Sequence, residues 1–321
     1  MRAVRYHEYG GPEVLRLEEV AVPEPAAGQV LVEVEAIGSN AIDAVLRRGN
    51  TPWDRPLPAR LTGDVVGRIT ALGPDASSGL AVGDRVAGLS EDAFAEYVVL
   101  DTDFIAPIPD HADAGEATMM SMTAPLALRL LEAGRIPVGG TVLIQSAAGT
   151  IGHLAVQLAR SFGPATIIGT ASSAARLDFI RSLGAEAVDL TDPEWPAQVR
   201  KFAPDGVNTA LDAVGGTVFD QSLELIKPLG TMITYGGISG ALPSIPASSL
   251  FGLRSVTGVS VMGWRLANPD GARADIAEVT RRWQSGDLRP VVHATLPLAE
   301  VVDLHRTLEA RTNLGRIIAT P

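Results

Sequence analysis

A chain of 321 residues, 46% hydrophobic and 20% charged, has an ordinary soluble globular composition, and its length implies about two domains rather than one core. A net charge of −11 excludes nucleic acid as the main partner, because a phosphate backbone needs a basic face. The absence of cysteine removes disulfides, thiol nucleophiles and Cys-ligated zinc together, and no apolar run reaches the roughly 18 residues of a membrane span.

The five histidines (His7, His111, His153, His293, His305) are scattered without a His-Xaa-Xaa-Xaa-His pair, so each is read as a surface or satisfied core residue and no metal is expected. Lysine occurs only at Lys201 and Lys227, which leaves anion recognition to arginine. The first residues, Met1-Arg-Ala-Val-Arg-Tyr-His-Glu, read directly into a strand with no secretory apolar core, and the expected compartment is the cytoplasm.

Residues 1 to about 110 read as β-rich. Ala3-Val-Arg-Tyr and Val14-Leu-Arg-Leu-Glu-Glu-Val precede Gln29-Val-Leu-Val-Glu-Val-Glu-Ala-Ile, where Val30, Val32 and Val34 alternate with Leu31, Glu33 and Glu35. Strands at Asp64, Asp84 and Ala95 follow, and their turn-marked spacing suggests a partly closed barrel. Residues 113 to about 136 switch to a helical period. From Gly140 strands and helices alternate: strands near Thr141, Thr166, Ala187, Val207, Thr231 and Ser255 are joined by helical crossovers, which is the pattern of a doubly wound parallel sheet. The tail carries a helix, a strand near Val291, a helix over Leu298 to Glu309 and a last strand at Arg316-Ile-Ile-Ala-Thr.

The first βα unit holds the strongest motif. Thr141-Val-Leu-Ile-Gln-Ser146 is a strand, Ala147-Ala-Gly-Thr-Ile-Gly152 a tight turn, and Ile151, Leu154, Ala155 and Leu158 lie on one face of the helix after it. The turn is a near-copy of the dinucleotide fingerprint with Ala147 in the place of the first glycine. Gly149 would let the backbone approach a pyrophosphate, Gly152 would let the helix pack on the strand, and the helix N-terminus would supply donors. Tight packing with no ligand is the plain alternative.

These segments resemble the medium-chain dehydrogenase/reductase superfamily, and within it the zinc-free quinone oxidoreductase (zeta-crystallin-like) branch. The resemblance runs over essentially the whole chain and rests on Gly11-Pro-Glu-Val-Leu, Val22-Pro-Glu-Pro, Ala36-Ile-Gly-Ser-Asn-Ala-Ile-Asp43, Gly63-Asp-Val-Val-Gly67, Val82-Gly-Asp-Arg-Val86, the turn at 147–152, Leu183-Gly-Ala185, Asp212-Ala-Val-Gly-Gly216 and Asn313-Leu-Gly-Arg316. It implies an α/β fold in which a Rossmann doubly wound parallel sheet (116–255) is inserted into a GroES-like β-rich catalytic domain (1–115 and 256–321), with a cleft between them and a homodimer as the usual assembly. Gly63-Asp64 stands where the zinc-dependent branch has Gly-His-Glu, and Asp64 is read as a structural carboxylate rather than a catalytic one. Thr150 departs from the second glycine of many quinone reductases.

An NAD-preferring site would carry Asp or Glu at the end of the second strand. Here that stretch is Ile168-Gly-Thr-Ala-Ser-Ser-Ala-Ala-Arg176, and the first acid is Asp178. Ser172, Ser173 and Arg176 can donate to a 2′-phosphate, and by resemblance Arg176 aligns with a basic residue of that role, so the expected cofactor is NADPH. Ala148, Gly149, Thr150, Ile151 and Gly152 are the expected pyrophosphate contacts. Val214, Gly236 and Gly237 would line the ribose and nicotinamide, and Thr123 starts the helix that by resemblance runs beside the nicotinamide. Arg316 either adds to the phosphate field or is an ordinary surface residue.

By resemblance Asn40 faces the nicotinamide and the acceptor, where its amide would polarise a carbonyl; bracing its own loop is the alternative. Asp43 is read as structural at a helix start, and Trp53 as an apolar wall of the substrate pocket. The expected function is zinc-independent, NADPH-dependent hydride transfer to a small-molecule quinone or α,β-unsaturated carbonyl. The competing readings are an enoyl-thioester reductase and a non-catalytic, crystallin-like NADPH-binding protein. Short-chain reductase and serine hydrolase signatures are absent.

Overall fold

The computed structural model of the chain describes residues 1–49, 51, 53–76 and 79–321. It contains two compact units, one of Met1–Thr123, Ala272–Arg282 and Pro290–Pro321, the other of Ala124–Gly271 and Trp283–Arg289. No helix among the described residues is long and apolar enough to cross a membrane.

The first unit is built on one long strand, Gln29–Gly38. Val30, Val32 and Val34 point into the core while Glu33 is exposed, so the alternation in the sequence becomes one dry and one wet face. From Ala36 to Gly38 the alternation stops and every residue is buried. The strand pairs antiparallel with Gly63–Leu72, Tyr97–Asp101 and the last strand Arg316–Thr320, and it is bulged twice along Gly63–Leu72. Arg85–Ser90, Ala106–Pro107 and Val292–Pro297 complete a branched seven-stranded sheet. Val4, Leu61, Ile69, Phe94, Leu100, Leu304 and Ile317 join the valines in its core. Each such side chain contributes about 1.5–3 kcal/mol of burial.

The second unit is a parallel sheet in the order Glu186–Asp189, Thr166–Ala171, Thr141–Ile144, Val207–Asp212, Ile226–Thr234, Ser255–Gly258. The order reverses at Thr141–Ile144, so the crevice at the carboxyl ends of the central strands is where such sheets take ligands. Helix Thr150–Ala159 buries Leu154, Ala155 and Leu158 as its spacing requires, and Val156 and Ala159 as well; Ile151 is half-buried. Residues 256–271 group with this sheet: Ser255–Gly258 pairs along Ile226–Thr234, and the following helix, Val261–Ala267, sets Trp264 under Arg129, 4.1 Å from guanidinium carbon to ring centroid.

Candidate active site

In the second unit the turn after Thr141–Ile144 is made of small buried residues. Ala147 and Ala148 are fully buried, and Gly149 is the N-cap of helix Thr150–Ala159 with no side chain capping it. No N-cap side chain therefore competes with an anion at the positive end of this helix dipole. A Cβ added at Gly152 would stand 2.4 Å from Ser146 O and 2.7 Å from Ala147 Cα, so this glycine allows the helix to sit on the turn. A Cβ at Gly149 would meet Ser146 O at 3.2 Å and Arg176 Nη2 at 3.8 Å; the Arg176 guanidinium thus lies over the turn. Arg176 belongs to helix Ala174–Ser182 and is buried, whereas Ser172 and Ser173 at the end of the second strand are exposed. Asp178, the first acid, faces outward and pairs with Arg181 at 2.7 Å.

The next two strand ends close the same crevice. Asp212 accepts from the N–H groups of Val214 and Gly215 at 3.2 and 2.9 Å, and burial pushes its carboxyl up to about 6 against those bonds. Ile238 N and Ser239 N donate to Ala213 O and Val214 O, which ties the segment after Ile226–Thr234 to the segment after Val207–Asp212. Gly236 fits this contact because an added Cβ would lie 3.2 Å from Ala213 O. The structure thus gathers Ala148, Gly149, Thr150, Ile151, Gly152, Ser172, Ser173, Arg176, Val214, Gly236 and Gly237 at the carboxyl ends of the parallel strands. The donor set fits a dinucleotide: a helix N-terminus with no N-cap side chain for the pyrophosphate, and two hydroxyls with one guanidinium and no carboxylate for a 2′-phosphate.

The first unit contributes a buried polar cluster around Arg316. Arg316 and Asp64 are both fully buried, and Arg316 Nη2 donates to Asp64 Oδ2 at 2.6 Å. The same nitrogen donates to Asn40 Oδ1 and Gly38 O, each at 3.0 Å, while Nη1 donates to Thr123 Oγ1 at 2.9 Å and Thr118 O at 3.2 Å. Asp64 also accepts from Ser121 Oγ at 3.2 Å and Thr123 Oγ1 at 3.1 Å. Removing one member of such a pair costs about 3–5 kcal/mol, because it strands the other charge in the interior.

Asn40 precedes helix Ala41–Arg48 as its N-cap, yet its side chain makes no capping bond; its oxygen faces Arg316 instead. Asp43, three residues on, is buried and accepts from the backbone and hydroxyl of Thr62 at 2.9 to 3.0 Å, the structural role expected of it. Trp53 is 58% exposed, which leaves its ring face accessible for stacking.

One expectation is corrected. Arg316 neither adds to a phosphate field nor lies on the surface: its guanidinium is enclosed and donates to five oxygens of its own unit. Thr123 starts helix Thr123–Gly134 as expected, and its hydroxyl donates to Asp64 and accepts from Arg316. Asp64 holds the side chains of Ser121, Thr123 and Arg316. Sequence reasoning missed Gly38, Ser121 and Thr118 altogether. Only Gly38 had a signal, as a glycine ending a buried strand just before Asn40.

Comparison with known proteins agrees with both halves of the chain. The family described as "Alcohol dehydrogenase GroES-like domain" matches residues 26–110, and the one described as "Zinc-binding dehydrogenase" matches 150–281. A synaptic vesicle membrane protein VAT-1 homolog-like from Mus musculus is 30% identical, covering 99% of this chain and 81% of the relative. A quinone oxidoreductase of Pseudomonas aeruginosa is 29% identical over 100% of this chain and 99% of its own. A mycobacterial protein solved in complex with NADPH is 31% identical with a TM-score of 0.92, covering 100% of both chains. Fold, site and relatives together define a two-domain dehydrogenase/reductase. The chain belongs to the quinone oxidoreductase branch of the medium-chain dehydrogenase/reductase superfamily.

Proposed function

We propose that the protein is an NADPH-dependent, zinc-independent reductase that transfers a hydride to a quinone or an α,β-unsaturated carbonyl compound. The observation that carries this reading is the uncapped helix at Gly149 with Arg176 over it and no carboxylate where an NAD site would hold one. NADPH supplies the hydride when bound. Ala148 to Gly152 hold the pyrophosphate, Ser172, Ser173 and Arg176 hold the 2′-phosphate, and Val214, Gly236 and Gly237 line the ribose and nicotinamide. Asn40 donates to the acceptor's carbonyl oxygen and polarises it. Trp53 stacks on the apolar acceptor. The reduced oxygen takes its proton from water.

The named relative and the NADPH-bound neighbour support the cofactor and the reaction class. The partner is a small molecule, the compartment is the cytoplasm expected from the sequence, and the assembly is a homodimer through the free edge of Ser255–Gly258.

NADPH oxidation measured against a panel of quinones, enones and enoyl thioesters tests the reading. Turnover with quinones or enones supports it, turnover confined to thioesters selects the enoyl-thioester reading, and binding without turnover selects the non-catalytic one. Arg176→Ala is expected to weaken NADPH by about 10- to 150-fold, the value of a lost charge-assisted bond, and NADH hardly at all. Equal losses for both would remove Arg176 from the 2′-phosphate site.

A further inference from the structure

We propose that Arg316, anchored by Asp64, is the positioning residue for Asn40: it turns the amide oxygen inward and the N–H groups outward, so that Asn40 meets a substrate only as a donor. The inference rests on the reductase reading and deepens it.

An asparagine amide has nearly the same shape in its two flipped forms, so its chemistry depends on what fixes the flip. Here the fixing group is a guanidinium, which has five N–H donors and no acceptor. Arg316 Nη2 stands 3.0 Å from the Asn40 amide, a position that only Oδ1 can occupy. The flipped amide would set N–H against N–H and strand a donor beside a buried charge. The Asn40 N–H groups therefore point away from the guanidinium.

The guanidinium is itself over-determined. Asp64 Oδ2 takes Nη2 at 2.6 Å, Thr123 and Thr118 take Nη1, and Gly38 supplies both a carbonyl and a seat. A Cβ added at Gly38 would lie 2.2 Å from Cζ and Nε of Arg316, so the guanidinium rests on backbone that only glycine leaves bare. Register delivers the two partners to each other. Ile318 and Ala319 pair with Gly38 and Ile37, and Ser39 donates through N and Oγ to Ile317 O at 3.1 and 2.9 Å. Arg316 and Asn40 are therefore placed by the same strand pair.

The arrangement also sharpens the donor. A cation bonded to the amide oxygen draws density from the amide and strengthens its N–H groups as donors. Asp64 balances the charge, so the unit contributes polarisation without net charge. Asp64 stands where the zinc-dependent branch carries its Gly-His-Glu motif, and an Asp–Arg pair is what occupies that position in this chain.

The first test is Asn40→Asp, which keeps the shape and the bond to Arg316 and replaces the N–H group with an oxygen. The expected result is a fall in kcat of about 100-fold or more, with NADPH Kd unchanged. Near-normal kcat would overturn the proposal, since a merely bracing Asn40 tolerates this change. The second test removes both charges together in Asp64→Asn/Arg316→Gln, with and without Asn40→Ala. In the parent background kcat is expected to fall about 10- to 100-fold, as for a misplaced catalytic group, and in the Asn40→Ala background less than about twofold. Losses that multiply would show that the pair acts independently of Asn40 and overturn the proposal. Gly38→Ala, which displaces the guanidinium without removing a charge, gives the same comparison if the paired variant does not fold. A wild-type enzyme that oxidises NADPH with no acceptor of the panel overturns the reductase reading, and this inference with it, before any variant is compared.

Discussion

Ala147 stands where the dinucleotide turn ordinarily has a glycine, and its methyl is accommodated by the neighbouring strand. A Cβ added at Gly169 would lie 2.6 Å from Ala147 Cβ, so the missing side chain at Gly169 makes the room that the turn itself does not. The two glycines left in the turn then differ in kind. Gly149 has an extended backbone, φ −81°, and an added methyl would meet only Ser146 O at 3.2 Å and the tip of Arg176. Gly152 is enclosed by backbone at 2.4 and 2.7 Å. Gly152→Ala is therefore expected to lower stability by about 1–3 kcal/mol in urea denaturation, the cost of overpacking. Gly149→Ala is expected to change stability far less and NADPH affinity far more, because its methyl enters the space a phosphate needs. If both variants lose stability equally, the assignment of Gly149 to the ligand and Gly152 to packing is wrong.

The elements that the sequence reveals are those whose reason is local. The alternation of Val30, Val32 and Val34 is a strand with one wet face in both sequence and structure, and the strand–turn–helix at 141–159 follows from its own spacing. The missing acid at the end of Thr166–Ala171 is also local, and it points to NADPH without any tertiary knowledge. The Arg316 cluster is the opposite case. Arg316 and Asp64 lie 252 residues apart, and their meeting depends on the register of three strands, which no window of the sequence contains. A buried arginine at a strand start reads like a surface one until its partner is in place. The two edges of the parallel sheet differ in a way that predicts assembly. Glu186–Asp189 begins and ends on a carboxylate, which discourages pairing, whereas beside Ser255–Gly258 stand Leu229, Phe251 and Leu253, exposed by 83, 82 and 65%. A charge on an open edge discourages pairing, so for Thr257→Lys sedimentation is expected to show a homodimer formed through that edge, as proposed above, shifted toward monomer. An unchanged dimer would place the interface elsewhere.

At the scale of the molecule, the buried groups Asp43, Asp212 and His305 set opposing pH dependences. Burial pushes Asp43 up to about 7 and Asp212 up to about 6 from an ordinary 3.8, and holds His305 down at about 3 from 6.5, with the nearby Arg47 charge adding to the last. At Asp43 the bonds from Thr62 and the Arg55 charge oppose the rise, and Glu91 adds to it. A carboxyl raised on folding is bound to a proton that the unfolded chain has already lost. Its contribution is fully present below the unfolded value and is lost as pH rises to the folded one. For Asp43 that window is pH 3.8 to about 7, and for Asp212 pH 3.8 to about 6. His305 has the opposite sign: it is neutral when folded, so its contribution is present above 6.5 and is lost as pH falls toward 3. Where all three windows overlap, two carboxyls oppose one histidine, and their sum favours the lower pH. Asp43→Asn removes one carboxyl while keeping an oxygen for Thr62. Its stability relative to wild type is therefore expected to improve by about 1.4 kcal/mol per pH unit from about pH 4 to about pH 7 and to level off above that. Urea midpoints of both proteins across this range measure the difference directly. A constant offset between the two curves would mean that folded Asp43 is ionised throughout this range, with the Thr62 bonds and Arg55 outweighing its burial.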